Sequence, residues 1–277
     1  MMVKQDGGNR MKEKTIQGLL IISAVSSLVW IAGLAWTLQD YFTDKPPAAL
    51  AAVAQPARPG NKEAPSVVND DGSFRMVALG DSLTRGTGDE SGKGYTGYLT
   101  ELLKEKTKQE MVMDNLGVNG QTSRQLAAQL GREEVQAQVK AADVLLLSIG
   151  GNDLFRGGET LMNLDTEKVK EIEAEAMREL HSVLTELRKL NGAANIFVIG
   201  LYNPFIDLTD SEKTTAIVRD WNYKVAETAS RIPGTVLVPT FDLFQLKVGS
   251  YLSRDQFHPN TEGYRLIAER VAALITW

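Results

Sequence analysis

The chain contains no cysteine. That absence excludes disulfides, thiolate metal sites, a cysteine nucleophile and a lipid-modified cysteine anchor in one step, and it fits a location outside the cytoplasm. Histidine is almost as scarce. His181 and His258 are the only two, so chemistry that needs an imidazole base has two places to find one. Charge of one sign does not dominate either: 30 basic residues stand against 35 acidic ones for a net charge of −5, which argues against nucleic acid as a partner. No internal repeat is present, which argues against a solenoid or propeller.

One uncharged run stands out for its length and apolarity. Residues 16–38 carry no charge and are mostly apolar, and as a helix they would extend about 34 Å, enough to cross a bilayer. Lys4, Arg10, Lys12 and Lys14 outnumber Asp6 and Glu13 before this span, while Asp40 and Asp44 follow it with Lys45. The bias predicts an amino terminus inside (residues 1–15) and the remainder outside. Trp36 and Tyr41 fall near the outer interface. A removable signal peptide is the alternative reading, with Ala52-Val53-Ala54 as its cleavage site. That site lies far from the apolar core, and the core is longer than such peptides use. An uncleaved anchor is therefore expected, followed by a linker over residues 39–72. Pro46, Pro47, Pro56, Pro59 and Pro65 in that stretch remove backbone donors and keep it extended.

Beyond the linker, residues 73–277 alternate short apolar runs with amphipathic stretches. Strands are predicted at the run ending in Leu79, at Met111–Leu116, Val144–Ile149, Ile196–Ile199 and Val236–Val238. Several place apolar residues at consecutive positions, as strands buried on both faces do. A long helix is expected from about Asp165 to Leu190, with Val169, Ile172, Ala176, Leu180, Leu184 and Leu187 on one stripe and a stop at Asn191-Gly192. Another is expected near Thr261–Ile275, with Tyr264, Ile267, Ala268, Val271 and Leu274 at helical spacing. The pattern is that of one doubly wound α/β domain around a five-stranded parallel sheet.

Chemistry concentrates at the ends of these strands. Gly80-Asp81 ends the first, so Ser82 stands at its carboxyl end, where open α/β sheets place their sites. Asp255-Gln256-Phe257-His258-Pro259-Asn260 precedes the last helix. A single turn there can set Asp255 against Nδ1 of His258 and leave Nε2 free to take a proton from a serine; equally, Asp255 and Asn260 suit a turn and a helix cap, with His258 filling the loop. His181, inside the long helix beside its apolar stripe, is the weaker base and reads as a packing or boundary residue. Glycines in Asn115–Ser123 let backbone N–H groups turn into a cleft, and Asn152 in Gly150-Gly151-Asn152-Asp153 offers an amide donor. Asp81 and Asp153 read as acceptors for nearby backbone N–H groups. Leu154, Phe155, Tyr202, Pro204, Phe205, Ile206, Phe241, Leu243 and Phe244 either line an acyl pocket or belong to the core.

Gly80-Asp81-Ser82-Leu83, Gly120 in its loop, Gly151-Asn152-Asp153 and Asp255-x-x-His258-Pro259 resemble, in order and spacing, the four blocks of the SGNH subgroup of GDSL-type esterases and lipases. The resemblance spans about Arg75 to the carboxyl terminus. It implies a flavodoxin-like three-layer α/β/α sandwich, here preceded by one transmembrane helix. It further implies Ser82 as nucleophile, His258 as general base and Asp255 as its orienting acid. The backbone N–H groups of Ser82 and Gly120 and the side-chain amide of Asn152 would form the oxyanion hole. No metal or organic cofactor is implied. The expected partner is a small-molecule or lipid ester, acted on by a membrane-anchored hydrolase outside the cytoplasm. Acyl transfer to envelope carbohydrate, removal of O-acetyl groups from it, and a binding module without catalysis are the alternatives. No Gly-x-Ser-x-Gly elbow surrounds Ser82, which argues against the α/β-hydrolase fold.

Overall fold

The structure, a computed structural model, describes residues 72–155, 165–207 and 211–276. The basic tail, the 16–38 span and the linker up to Asp71 lie outside the described residues. Among the described residues, no helix is long and apolar enough to cross a membrane.

Five strands form one sheet: β1 (Phe74–Gly80), β2 (Met111–Asn115), β3 (Val144–Ser148), β4 (Asn195–Ile199) and β5 (Thr235–Val238). All neighbours are parallel, and the order is β2-β1-β3-β4-β5. Parallel pairing demands crossovers, and helices supply them. In sequence order the helices are α1 (Ser82–Arg85), α2 (Gly94–Lys106), α3 (Ser123–Gln129), α4 (Glu133–Ala141), α5 (Gly151–Phe155), α6 (Thr166–Leu190) and α7 (Ser211–Ser230) between the strands, then α8 (Phe241–Gln245), α9 (Val248–Tyr251) and α10 (Thr261–Ala272) after β5.

Because side chains alternate across a strand, β1 and β3 serve two cores at once. Val77, Leu79, Leu145 and Leu147 pack with α3, α4, α6 and α7, where Leu126, Val139, Leu184 and Trp221 are buried. Met76, Ala78, Val144 and Leu146 face the opposite way, toward Tyr95, Leu99 and Leu103 of α2 and Tyr264, Ile267 and Val271 of α10. Burial on both faces holds for the carboxyl-terminal part of β1, for β3 and for β4. At the sheet margins it fails: most of β2 is only half-buried, and Val236 of β5 is 43% exposed. An edge strand has a neighbour on one side only, so its apolar run overstates its burial.

Two helix stripes also differ from expectation. On α6, Ile172 is only half-buried, whereas Val183 and the carboxylate-bearing Glu173 lie inside, Glu173 paired with Lys224 of α7. α10 ends at Ala272, so Leu274 falls in the turn beyond it and is 36% exposed.

The strand order places the site. The chain leaves β1 toward β2 on one side and reaches β3 on the other, so crossovers diverge between β1 and β3. Their carboxyl ends flank the crevice where flavodoxin-like sheets bind ligands. Ser82 follows β1 and Asn152 follows β3.

Candidate active site

β1 ends in a turn that only glycine can make. Gly80 has φ +133°, and a Cβ there would lie 2.0 Å from the carbonyl oxygen of Ser148 on β3. Asp81 then caps α1, its carboxylate accepting from the N–H of Leu83 at 3.0 Å, and Ser82 becomes the first helical residue. A first-turn N–H has no helical acceptor, so the N–H of Ser82 is free to face a ligand.

His258 arrives from the other end of the chain. Leu252 and Pro259 form an isolated antiparallel bridge, and the N–H of Ser253 donates to the carbonyl of His258 at 2.8 Å. Inside this closed turn Gln256 takes φ +55°, a conformation uncommon for a residue with a side chain. Asp255 organises the turn. Its Oδ1 accepts from the N–H groups of Phe257 and His258, each at 2.9 Å, and from Ser253 Oγ at 2.7 Å. Its Oδ2 lies 2.6 Å from His258 Nδ1, and His258 Nε2 lies 2.7 Å from Ser82 Oγ. Burial alone would raise the Asp255 carboxyl. The hydrogen bonds from His258, Ser253 and the turn backbone outweigh it and hold the group well below the ordinary carboxylate range.

Asn152, in α5, is brought to the same crevice. Its Nδ2 donates one hydrogen to the carbonyl of Gln121 at 3.0 Å, which fixes the amide plane and leaves the second hydrogen free. Gln121 belongs to the loop of Gly120. That loop lies alongside Gly80 through the N–H of Val118 on the Gly80 carbonyl at 2.8 Å. Gly120 has φ +73° and is exposed; it is not among the residues lining the recess beside Ser82. His181 stands exposed on α6.

The other two carboxylates have separate work. Asp153 accepts from the N–H and hydroxyl of Ser123, tying α5 to α3, and burial raises its carboxyl above the ordinary value. Asp81 is fully buried, which pushes its carboxyl up to about 6 despite hydrogen bonds from Ser148 Oγ (2.8 Å) and Leu83. Ser148 in turn meets Thr84 Oγ1 at 2.7 Å, and Thr84 meets the Tyr95 hydroxyl at 2.9 Å.

Three supports were not foreseen. Tyr202, after β4, donates its hydroxyl to the carbonyl of Phe257 at 2.6 Å and so anchors the residue next to His258. Gly88 lies against the base of the His258 side chain and the Pro259 carbonyl. Ser148 joins β3 to Asp81, and its one legible signal is a hydroxyl closing the otherwise apolar run Val144–Leu147. Of the apolar loop residues, Phe155, Tyr202 and Pro204 line the recess beside Ser82, together with Leu201 and Phe257, while Leu154, Phe205 and Phe244 are buried.

A hydroxyl, an imidazole and a carboxylate in line at the switch point of a parallel sheet are the arrangement by which serine hydrolases activate an alcohol. The comparisons give the family. Residues 78–266 match the GDSL-like Lipase/Acylhydrolase family model, and the chain belongs to that family, whose hydrolases act on ester bonds. YpmR of Bacillus subtilis is 34% identical over 201 residues, covering 71% of this chain and 79% of that protein. The spore germination lipase LipC of Bacillus licheniformis is 26% identical over 207 residues, 73% of this chain and 96% of LipC. Among solved structures, the lipase Lip_vut3 from a goat rumen metagenome superposes with a TM-score of 0.67 at 25% identity, covering 73% of this chain and 97% of the lipase.

Proposed function

We propose that the chain is a serine acylhydrolase that cleaves carboxylic esters through an acyl-enzyme, with Ser82 as nucleophile, His258 as general base and Asp255 as the group that orients it. The observation that carries this reading is the continuous path from Ser82 Oγ through His258 to Asp255, at 2.7 and 2.6 Å. Ser82 Oγ attacks the ester carbonyl while its proton passes to Nε2. The resulting oxyanion meets the N–H of Ser82 and the free amide hydrogen of Asn152, and the loop held to Asn152 through Gln121 offers the N–H of Gly120 as the third donor. As the carbon–oxygen bond to the alcohol breaks, His258 returns the proton to the leaving oxygen. Water then attacks the acyl-enzyme, His258 takes its proton, and the acid departs with Ser82 restored. Asp255, its carboxyl held low, stays charged throughout and stabilises the imidazolium in both halves of the cycle.

The uncharged span 16–38 and the basic residues before it support a single-pass anchor with the catalytic domain outside the cytoplasm. The linker then holds that domain away from the bilayer.

Hydrolysis of p-nitrophenyl butyrate by the full chain tests the chemistry. Ser82→Ala is expected to lower kcat by a factor on the order of 10⁶. A folded Ser82→Ala chain with wild-type turnover would overturn the assignment.

A further inference from the structure

We infer that the recess beside Ser82 receives the acyl group and accepts short chains only, acetyl to about butyryl, so that the substrate is a short-acyl ester and not a long-chain lipid. The inference rests on Ser82 being the nucleophile and narrows what it attacks.

The recess beside Ser82 and His258 has a volume of about 40 Å³. One water needs about 10–15 Å³ of such a cavity, so the space takes about three water-sized groups. A tail of one to three carbons beyond the carbonyl is of that size; an octanoyl chain is not.

The walls are held from behind, and this makes the small volume a property of the fold. Phe155 is 2% exposed and meets Phe205 edge-on at 5.1 Å, and Phe205 meets Phe257 at 5.8 Å. Tyr202 stacks at 4.3 Å on the fully buried Phe244, with its hydroxyl on the Phe257 carbonyl. The turn that carries Pro204 is pinned by buried Asn203. Its Nδ2 donates to the hydroxyls of Thr214 and Thr215 on α7, and its Oδ1 accepts from the N–H of Phe205. In an interior packed to this density no ring swings aside without displacing another. A long chain would therefore have to withdraw from the recess, forfeiting about fourfold in affinity for each carbon that a butyryl tail buries there.

The test measures kcat/KM of the full chain on p-nitrophenyl acetate, butyrate, hexanoate and octanoate, each corrected for its spontaneous hydrolysis. Ser82 is titrated in the same samples with a small p-nitrophenyl methylphosphonate ester. The expected profile peaks at or before butyrate and falls ~10-fold or more by octanoate. Shortening the Phe155 wall should raise the chain-length limit. Phe155→Ala empties a buried position and risks the fold, so Phe155→Leu, which keeps most of the apolar volume, is measured beside it; either should raise the octanoate-to-butyrate ratio by about tenfold. Octanoate turned over as well as butyrate, with Ser82 fully labelled, would overturn the inference and leave the nucleophile standing. A falling wild-type profile that Phe155→Leu does not shift would overturn the role of this wall. A folded chain that the phosphonate does not label at Ser82 would overturn the proposed function itself.

Discussion

At the scale of single residues, three carboxylates close to the site are separated by what each one faces. Asp255 is half-exposed and surrounded by donors, so it stays charged. Asp153 is spent on Ser123. Asp81 is buried with two donors, too few to offset the loss of water, and its carboxyl sits at about 6 in the folded chain against 3.8 ordinarily. Between about pH 4 and 6 the folded chain therefore binds more protons than the unfolded one, and stability falls as pH rises through that window. Above the window the penalty is about 3 kcal/mol. Asp81→Asn removes it, so the stability of the variant relative to wild type should rise by about that amount from pH 4 to 7. Urea unfolding at each pH checks this. Contributions from groups that do not interact with Asp81 cancel in the difference, and a pH-independent difference would contradict the burial argument. Asp81 and Asp153 were legible in the sequence as backbone acceptors. The depth at which Asp81 lies was not, because it depends on Ser148, Thr84 and Tyr95 arriving from β3, α1 and α2.

At the scale of elements, the position of His258 is set by segments that sequence periodicity does not mark. The segment after α1 is bound to α10 by Thr261 Oγ1 on Asp89 at 2.7 Å and by the Tyr264 hydroxyl on the Thr87 carbonyl at 2.7 Å. Those two bonds place Gly88 against the base of the His258 side chain. A Cβ on Gly88 would lie 2.8 Å from His258 Cβ, 2.8 Å from the Pro259 carbonyl oxygen and 2.9 Å from Ser253 Oγ, and its φ of +93° disfavours any side chain. Gly88→Ala should therefore push His258 off Ser82 and lower kcat ~10²-fold, the cost typical of a displacement near 1 Å. KM should change far less. Steady-state kinetics with a melting curve checks this, and an unchanged kcat in a chain of normal stability would show that the two segments are not coupled. The strands themselves were legible because buried parallel strands are written as unbroken apolar runs, and the helices because caps such as Asp165 and Asn260 precede their stripes. Glu173 was not. Burial of a carboxylate on α6 depends on Lys224 of α7, a partner that no spacing within α6 reveals.

At the scale of the whole molecule, a hydrolase domain over residues 73–277 would be tethered by a segment far ahead of it. If residues 16–38 remain as an anchor, the full chain should sediment with membranes and resist carbonate extraction, whereas a chain beginning at Gly72 should stay in the supernatant. Full-length protein in the supernatant would remove the anchor from the reading.

The amino-acid sequence by itself determined the class of fold, the order of the elements and the residue types available for chemistry, because apolar period, glycine turns and helix caps are local properties. It also confined the imidazole to two positions. Tertiary structure brought His258, which the sequence already favoured over His181, against Ser82 across 176 residues. It also decided how small the recess is, since Phe155 comes from α5, Tyr202 from the segment after β4 and Phe257 from the turn before α10, and the space between them exists only once the sheet has set its switch point.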